Sequence, residues 1–449
     1  MACMASTVRA LLLLGLLASS ASERHALQLS PGPAASRAHV TSAGAEVESL
    51  FTSADLQALL GGPFVYVRQL GALADGDLVL SVGVGFAGAA LVHWDCASGR
   101  LTRIASEVEL GLAMGGYQGG SLDVHGFDVA PNGDLWLFAS EFLGVFGGLS
   151  TTAHLLRVRL VGEAPAGYLF PTSVLSLPFD PEGHALNLRA APDGAIDLLL
   201  DTGDVASDAL PLAPGHGIYR WFPDLSVIPL AVESYVDLAA ACSRGGPQLS
   251  GDGLAQDTGL GNLAAGANAL YVCHSRTAET LAPHFDATNA EAYDGDILRF
   301  DRQMGTSSRL IARKEYLART NALAGEDPLA QDRDVLGISL VVDEQTDRLY
   351  TLAYTFAGPA PSHEVVQLLA WQASTGAFEG VVANAWDLLS PWLQLDQQPV
   401  FQSGQLVIGA TLTEGNLCAL PDGRLAAAIR PGTSAELPTH VVRITPALP

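Results

Sequence analysis

The chain has 449 residues, 49% of them hydrophobic, with 47 glycines and 25 prolines; this composition argues for a large buried core and against disorder. Acidic residues outnumber basic ones 47 to 23, for a formal net charge of −24. That field repels nucleic acid and anionic membranes, so neither is expected as a partner, whereas a divalent cation such as calcium is compatible with it.

Residues 1–22 read as a signal peptide. Arg9 supplies a positive start, Ala10 to Ala18 a short apolar run, and Ser19, Ser20, Ala21 and Ser22 the small residues of a cleavage site. The apolar run falls short of the ~20 residues that a membrane-crossing helix needs. With no longer apolar stretch downstream, the expectation is a secreted or periplasmic protein without a membrane span after cleavage. Residues 23–45, rich in Ala, Ser and Pro and without periodicity, predict a flexible leader. Cleavage would leave Cys96, Cys242, Cys273 and Cys418. A Cys242–Cys273 bridge would close a Gly-rich insertion; the alternative for Cys96 and Cys418 is that they are small buried hydrophobes. Without CxxC or paired Cys/His spacing, no structural zinc site is expected.

Residues 46–449 carry two interleaved patterns. In chain order, a turn followed by an apolar strand occurs as ADGDLVLSV from Ala74, PNGDLWLFA from Pro131, PDGAIDLLL from Pro192 and GANALYVCH from Gly266. It recurs as EQTDRLYTL from Glu344 and PDGRLAAAI from Pro421. The first apolar residues after the turn are Leu78, Leu135, Ile196, Leu270, Leu349 and Leu425. Asp-Gly and Asn-Gly supply the positive φ that tight hairpins need. Between consecutive members lie VHWD, LRVR, YRWF, LRFD, LAWQ and VRIT, whose large residues are Trp94, Val158, Trp221, Phe300, Trp371 and Ile444. A basic residue precedes the large one at His93, Arg157, Arg220, Arg299 and Arg443, with Ala370 the exception.

A repeat of short strands, spaced about 57 to 79 residues, cannot bury both faces of its sheet alone. Radial stacking solves this, and closure protects the edges. The expectation is an all-β chain: one β-propeller of about six four-stranded blades. The last repeat ends too soon for its outermost strand, so a segment between Glu46 and Tyr66 is expected to supply it and close the ring.

The segments HGFDVAPNGDLWLFAS (His125 to Ser140) and GISLVVDEQTDRLYTLAY (Gly337 to Tyr354) resemble blades of the NHL-repeat proteins and of the SMP-30/gluconolactonase family. The resemblance implies a six-bladed propeller. It also implies a divalent metal at one mouth of the central channel, held by acidic and Asn side chains near the start of innermost strands. Counted from the turns, those positions fall near His125, Leu186, Leu336 and Gly415; only His125 carries a metal-binding group, and an oxygen-rich site would not choose it. Asn187, Asn262 and Asn416, each followed by leucine, begin three innermost strands. A one-residue shift would bring them, with Asp128, around the mouth; otherwise they bond nearby backbone as strand-entry residues.

Other motifs carry less. Gly83, Gly85 and Gly88 match G-x-G-x-x-G, but the segment after them reads as a strand, so no helix terminus meets a phosphate. Neither G-x-S-x-G nor H-E-x-x-H occurs. Asp201, Asp204, Asp208, Asp294 and Asp296 lack the spacing of a calcium loop. The fourth repeat holds insertions near residues 233–260, 277–293 and 312–333. There His274, Arg276, His284 and Asp286 either bind a small polar ligand or are ordinary exposed loop residues. The reading that follows is an exported, non-catalytic propeller binding a small ligand or protein partner at one face or the channel mouth. The alternative is a metal-dependent lactonase-type hydrolase.

Overall fold

The computed structural model describes residues 26–28, 38–41, 43–62, 64–85, 88–142, 149–178, 187–201, 216–222, 226–229, 259–275, 297–304, 306–312, 315–316, 319, 333–357, 363–384, 388, 417–429 and 439–447. The hairpin turns adopt the backbone their residues dictate. Gly76, Gly133, Gly194 and Gly423 sit at φ of 80 to 90°, a region closed to most side chains.

Three strands come first: β1 (Ala26–Gln28), β2 (Ala38–Val40) and β3 (Glu46–Thr52), followed by helix α1 (Ser53–Leu60). Blade I is β4 (Val65–Ala72), β5 (Leu78–Val84), β6 (Gly88–Asp95) and β7 (Arg100–Ala105). Helix α2 (Glu107–Ala113), opened by a Ser106–Glu109 capping box, leads to blade II: β8 (Ser121–Val129), β9 (Leu135–Phe142), β10 (Leu149–Val158) and β11 (Thr172–Pro178). Blade III is β12 (Asn187–Ala190), β13 (Ile196–Asp201), β14 (His216–Phe222) and β15 (Ser226–Pro229). Blade IV is β16 (Gly259–Ala265), β17 (Ala269–Ser275), β18 (Ile297–Asp301) and β19 (Thr306–Ile311). Blade V is β20 (Arg333–Asp343), β21 (Arg348–Ala357), β22 (His363–Gln372) and β23 (Phe378–Asn384). Blade VI is β24 (Leu417–Ala419), β25 (Leu425–Ile429) and β26 (His440–Thr445), completed by β3. The fold is a six-bladed β-propeller, as the two repeat series predict.

Those two series are cross-strand partners. Leu78 faces Trp94, Leu135 faces Val158, Ile196 faces Trp221, Leu270 faces Phe300, Leu349 faces Trp371 and Leu425 faces Ile444. Each pair joins the second strand of a blade to its third, and all twelve side chains are buried. The basic residue beside the large one points to the opposite face of its strand, and there it meets a partner. His93 bonds Asp77 at 2.8 Å, Arg157 bonds Asp134, Arg220 bonds Asp197, and Arg443 bonds Glu48. The other oxygens of Asp77 and Asp134 accept the Cys96 and Leu160 amides, each at 2.8 Å, so one carboxylate pins the turn to the third strand. Burial opposes ionisation of Asp77, but His93 and the Cys96 amide outweigh it and hold the carboxyl below its ordinary value. Where Ala370 breaks the series, Arg348 at the start of β21 bonds Glu379 on β23 at 2.7 Å instead.

The seams between blades are mostly apolar. Trp136 of blade II meets Trp221 of blade III edge-on at 5.3 Å, and Tyr316 stacks on Trp371 at 5.5 Å. The seam between blades III and IV adds charge: Arg302 reaches the fully buried Asp197, which also accepts from Arg220. Between blades IV and V, the Ala267 and Asn268 amides donate to Glu344.

Closure occurs where expected. β3 pairs antiparallel with β26, the Ser53 amide donates to the Thr439 carbonyl at 2.8 Å, and β2 pairs outside β3. Within the stretch read as a leader, β1 also pairs, on the outer edge of β7. Innermost strands β4, β8, β12, β16, β20 and β24 each touch the next, and β24 returns to β4. Gly83 and Gly88 lie in the β5–β6 hairpin, which agrees with reading that motif as strand; a Cβ on Gly83 would run into the Tyr66 ring. Cys96 and Cys418 are free thiols, whereas Cys242 and the Cys273 side chain lie outside the described residues. Among the described residues no helix is long and apolar enough to cross a membrane.

Leu425→Ala removes one partner of the pair in the closing blade. It should cost about 2–5 kcal/mol in a urea unfolding titration, the range for a buried leucine. Deleting residues 1–52 leaves β26 without its neighbour and should abolish the cooperative thermal transition followed by circular dichroism.

Candidate functional site

Four innermost strands carry a β-bulge, an extra unpaired residue that bends the strand and re-aims a side chain. The register slips at Arg68 in β4, at His125 in β8, at Gly261 and Asn262 in β16, and at Gly337 and Ile338 in β20. Arg68 lies eight residues before its turn glycine, Gly76, as His125 lies eight before Gly133.

These two bulges meet in a polar cluster between blades I and II. The Arg68 guanidinium is buried, pairs with Asp123, and donates to the Val124 carbonyl at 3.3 Å. Burial opposes ionisation of Asp123, but the Arg68 charge, with His125 adding to it, outweighs burial and keeps the carboxyl below its usual value. His125 Nε2 bonds the hydroxyl of fully buried Ser140 at 2.7 Å. Burial lowers the His125 pKa, Asp123 offsets this in part, and Arg68 adds to it. Nearby, Glu141 accepts the Gln118 and Gly120 amides, and Glu107 accepts the Leu122 amide. Glu107 is pushed up by its own burial against the pull of Arg68.

Ser140, His125 and Asp123 are the residue types of a nucleophilic triad, but they are not arranged as one. Asp123 is committed to Arg68, and Ser140 presents no surface to a substrate. No cation set is assembled by the described residues, and the side chains of Asn187 and Asn262, with all of Asn416, lie outside them. Blade I places the Arg68 cation at the bulge and binds Asp123 with it, and no group of three His, Cys, Asp or Glu among the described residues could hold a metal.

The second polar place is the channel. A cavity of about 190 Å³ is lined by all six innermost strands, including Leu70, Val129, Ala190, Ala265, Leu340 and Leu417. Its polar side chains are Asp128, Arg189 and Cys418. Asp128, Arg189 and Cys418 each stand five residues before a turn glycine (Gly133, Gly194 and Gly423), so they form one layer of equivalent blade positions. Asp128 accepts the Val129 amide at 2.9 Å and, across the seam, the Ala190 amide at 2.8 Å. Arg189 donates through Nε to Leu263 O at 2.6 Å and through Nη1 to Phe127 O at 3.3 Å, joining blades II, III and IV. Burial raises the Asp128 pKa, and the Arg189 charge and two amides offset only part of this. Burial likewise pushes the Cys418 thiol up to about 12, and Asp128 adds to it.

The sequence candidates separate along these places. His125 sits at the mid-strand bulge, while Asp128 lies three residues further along β8, roughly 10 Å away at the rise of a strand. Asn187 opens β12 and Asn262 is a bulge residue of β16; their side chains, and all of Asn416, lie outside the described residues. His274 pairs with Leu260 through its backbone, while its side chain and all of Arg276, His284 and Asp286 lie outside the described residues. Arg68, Asp123, Ser140 and Arg189 were not singled out. Counting eight residues back from the turn glycine reaches Arg68 in blade I as it reaches His125 in blade II, but in blade III it reaches Leu186, three residues before Arg189.

No family model and no curated protein matches the chain. Solved structures that are similar include the soluble aldose sugar dehydrogenase of Escherichia coli, at 14% identity and TM-score 0.40 over 90% of this chain and 99% of that one. TolB from Acinetobacter baumannii is similar at 10% identity and TM-score 0.37, over 87% of this chain and 67% of that one. A puromycin hydrolase is similar at 12% identity and TM-score 0.38 over 83% of this chain, which spans only 43% of that protein.

Asp128 gives a pH test. Its folded pKa is raised above the ordinary 3.8, so folding favours the protonated acid. The contribution is complete below the unfolded value and is lost as pH rises through the folded one. Asp128→Asn fixes the neutral form. It should therefore unfold at the same temperature as the parent below about pH 4 and at a higher temperature at pH 7, in melting curves across that range.

Proposed function

We propose that the protein is an exported, non-catalytic propeller that binds a small molecule in its central channel. The observation that carries this is the cavity of about 190 Å³, lined by all six innermost strands, where Asp128, Arg189 and Cys418 lie in one layer among small aliphatic side chains and exposed backbone. A concavity with a few convergent polar groups is the usual place of a small ligand. The polar cluster between blades I and II does not supply a competing catalytic set, because Asp123 is paired with Arg68 and Ser140 is sealed. Export rests on the signal-peptide pattern of residues 1–22.

A second reading, a metal-dependent lactonase-type hydrolase, is favoured by one placement. Asn262 and His125 both occupy bulges of innermost strands, within a few residues of the strand starts where the resemblance implies metal ligands. The Arg68 cation at the equivalent point of blade I opposes it. The two readings part in one assay of the purified protein. We expect no hydrolysis of ester or lactone substrates in the presence of calcium, zinc or manganese, and saturable rises in melting temperature with members of a small-molecule library. Metal-dependent turnover that Asn262→Ala abolishes would replace the first reading by the second.

A further inference from the structure

The channel layer contains a guanidinium that no carboxylate among the described residues bonds directly. Arg189 is 7% exposed, yet it forms no ion pair among the described residues. Its Nε and Nη1 are used on the Leu263 and Phe127 carbonyls, which are neutral acceptors. Nη2 makes no hydrogen bond among the described residues and is not sealed from the cavity that Arg189 lines. Asp128 acts on Arg189 through space without bonding it, and the planar fork of a buried guanidinium is shaped for a carboxylate or a similar oxyanion. We propose that the channel cavity binds a small organic carboxylate, its anionic end on the Nη2 edge of Arg189 and its short hydrocarbon part among the Ala, Val and Leu side chains of the lining.

This inference rests on the channel-binding reading above and names the ligand class for it. Three features of the layer favour the assignment. Among the described residues the one carboxyl in the lining, Asp128, is already engaged by the Val129 and Ala190 amides, and burial raises its pKa. Ala72, Val129, Ala190, Ala265, Val341 and Ala419, all around the cavity, keep accessible surface although they belong to innermost strands. The volume, about 190 Å³, exceeds the ~150 Å³ apolar cavity that accommodates benzene. A benzoate-sized or short-chain acid therefore suits both the polar end and the wall. The net charge of −24 repels an anion at long range, so recognition is local, and binding is best measured at physiological ionic strength, where the field is screened.

The test is isothermal titration of the purified full-length protein with benzoate and butyrate, each against its neutral amide, benzamide and butyramide. We expect at least one acid to bind, with its amide about tenfold weaker or more, the usual loss when a charge-assisted bond becomes neutral. Arg189→Gln should weaken the acid by about tenfold and leave the amide unchanged. Because Arg189 also holds two backbone carbonyls, Ala265→Leu serves as a second variant: it fills the cavity without touching that contact and should abolish binding while the melting transition is retained. If acid and amide bind alike and Ala265→Leu abolishes both, the carboxylate assignment fails and the channel reading stands. If no probe binds, or if Ala265→Leu leaves every affinity unchanged, both fail.

Discussion

Six cross-strand pairs hold this propeller in register, each a leucine or isoleucine from the second strand of a blade against a large apolar residue of the third. A fully buried leucine contributes roughly 1.5–3 kcal/mol relative to an exposed one, and a favourable cross-strand pair roughly 0.2–1 kcal/mol more. Because side chains alternate along a strand, a one-residue slip would turn every pair outward, so the pair fixes register as well as stability. Register in turn fixes the turn, and the turn fixes where the innermost strand ends. The position of every channel residue follows from that chain of constraints.

Closure adds the constraint that no single blade can meet. Blade VI has only three strands after Leu417, and β3, from the start of the domain, pairs with β26 to complete it. Arg443 and Glu48 then join residues nearly the full domain apart in sequence. An ion pair of this exposure is worth little by itself, so the backbone ladder and the burial of Phe51, which packs 5.9 Å from Trp94 of blade I, carry the closure. The same ring encloses the channel: with β24 returned to β4, the edges of all six innermost strands face one cavity rather than solvent.

The architecture was legible because it is written in repetition. Leu78 to Leu425 and Trp94 to Ile444 are recognisable one by one, since burial of alternate residues after an Asp-Gly or Asn-Gly turn leaves a period-two mark. The basic residue beside each large one was visible only as a marker. Its partner could not be read, because the acid varies in place: Asp77 and Asp134 follow the turn glycine directly, Asp197 comes two residues later in its blade, and Glu48 is on another strand entirely. β1 was invisible for a different reason. A strand added to a sheet edge is held by backbone hydrogen bonds, which leave no pattern in composition. The site was less legible than the fold. His125 is reached by counting back from the turn glycine of its blade, and the same count one blade earlier leads to Arg68, which sits at the equivalent bulge but does not look like a ligand for a cation.

Repetition also tells which residues are not structural. In a ring of similar blades, a position that serves the fold is filled alike in each, as the pairs from Leu78 to Leu425 are. The layer five residues before the turn glycine is filled differently every time: Gly71, Asp128, Arg189 and Cys418. Asp128 and Arg189 both staple neighbouring strands, yet blades without a polar residue there close as well, so a staple alone does not require charge. A buried carboxyl and a buried guanidinium each cost free energy that an aliphatic residue would not. Their retention in an otherwise aliphatic channel needs a compensating interaction, and the seam bonds supply only part of it for Arg189, whose charge they leave unmatched. The departure from six-fold likeness is thus where function is to be sought, and its centre is the face of Arg189 turned toward the channel.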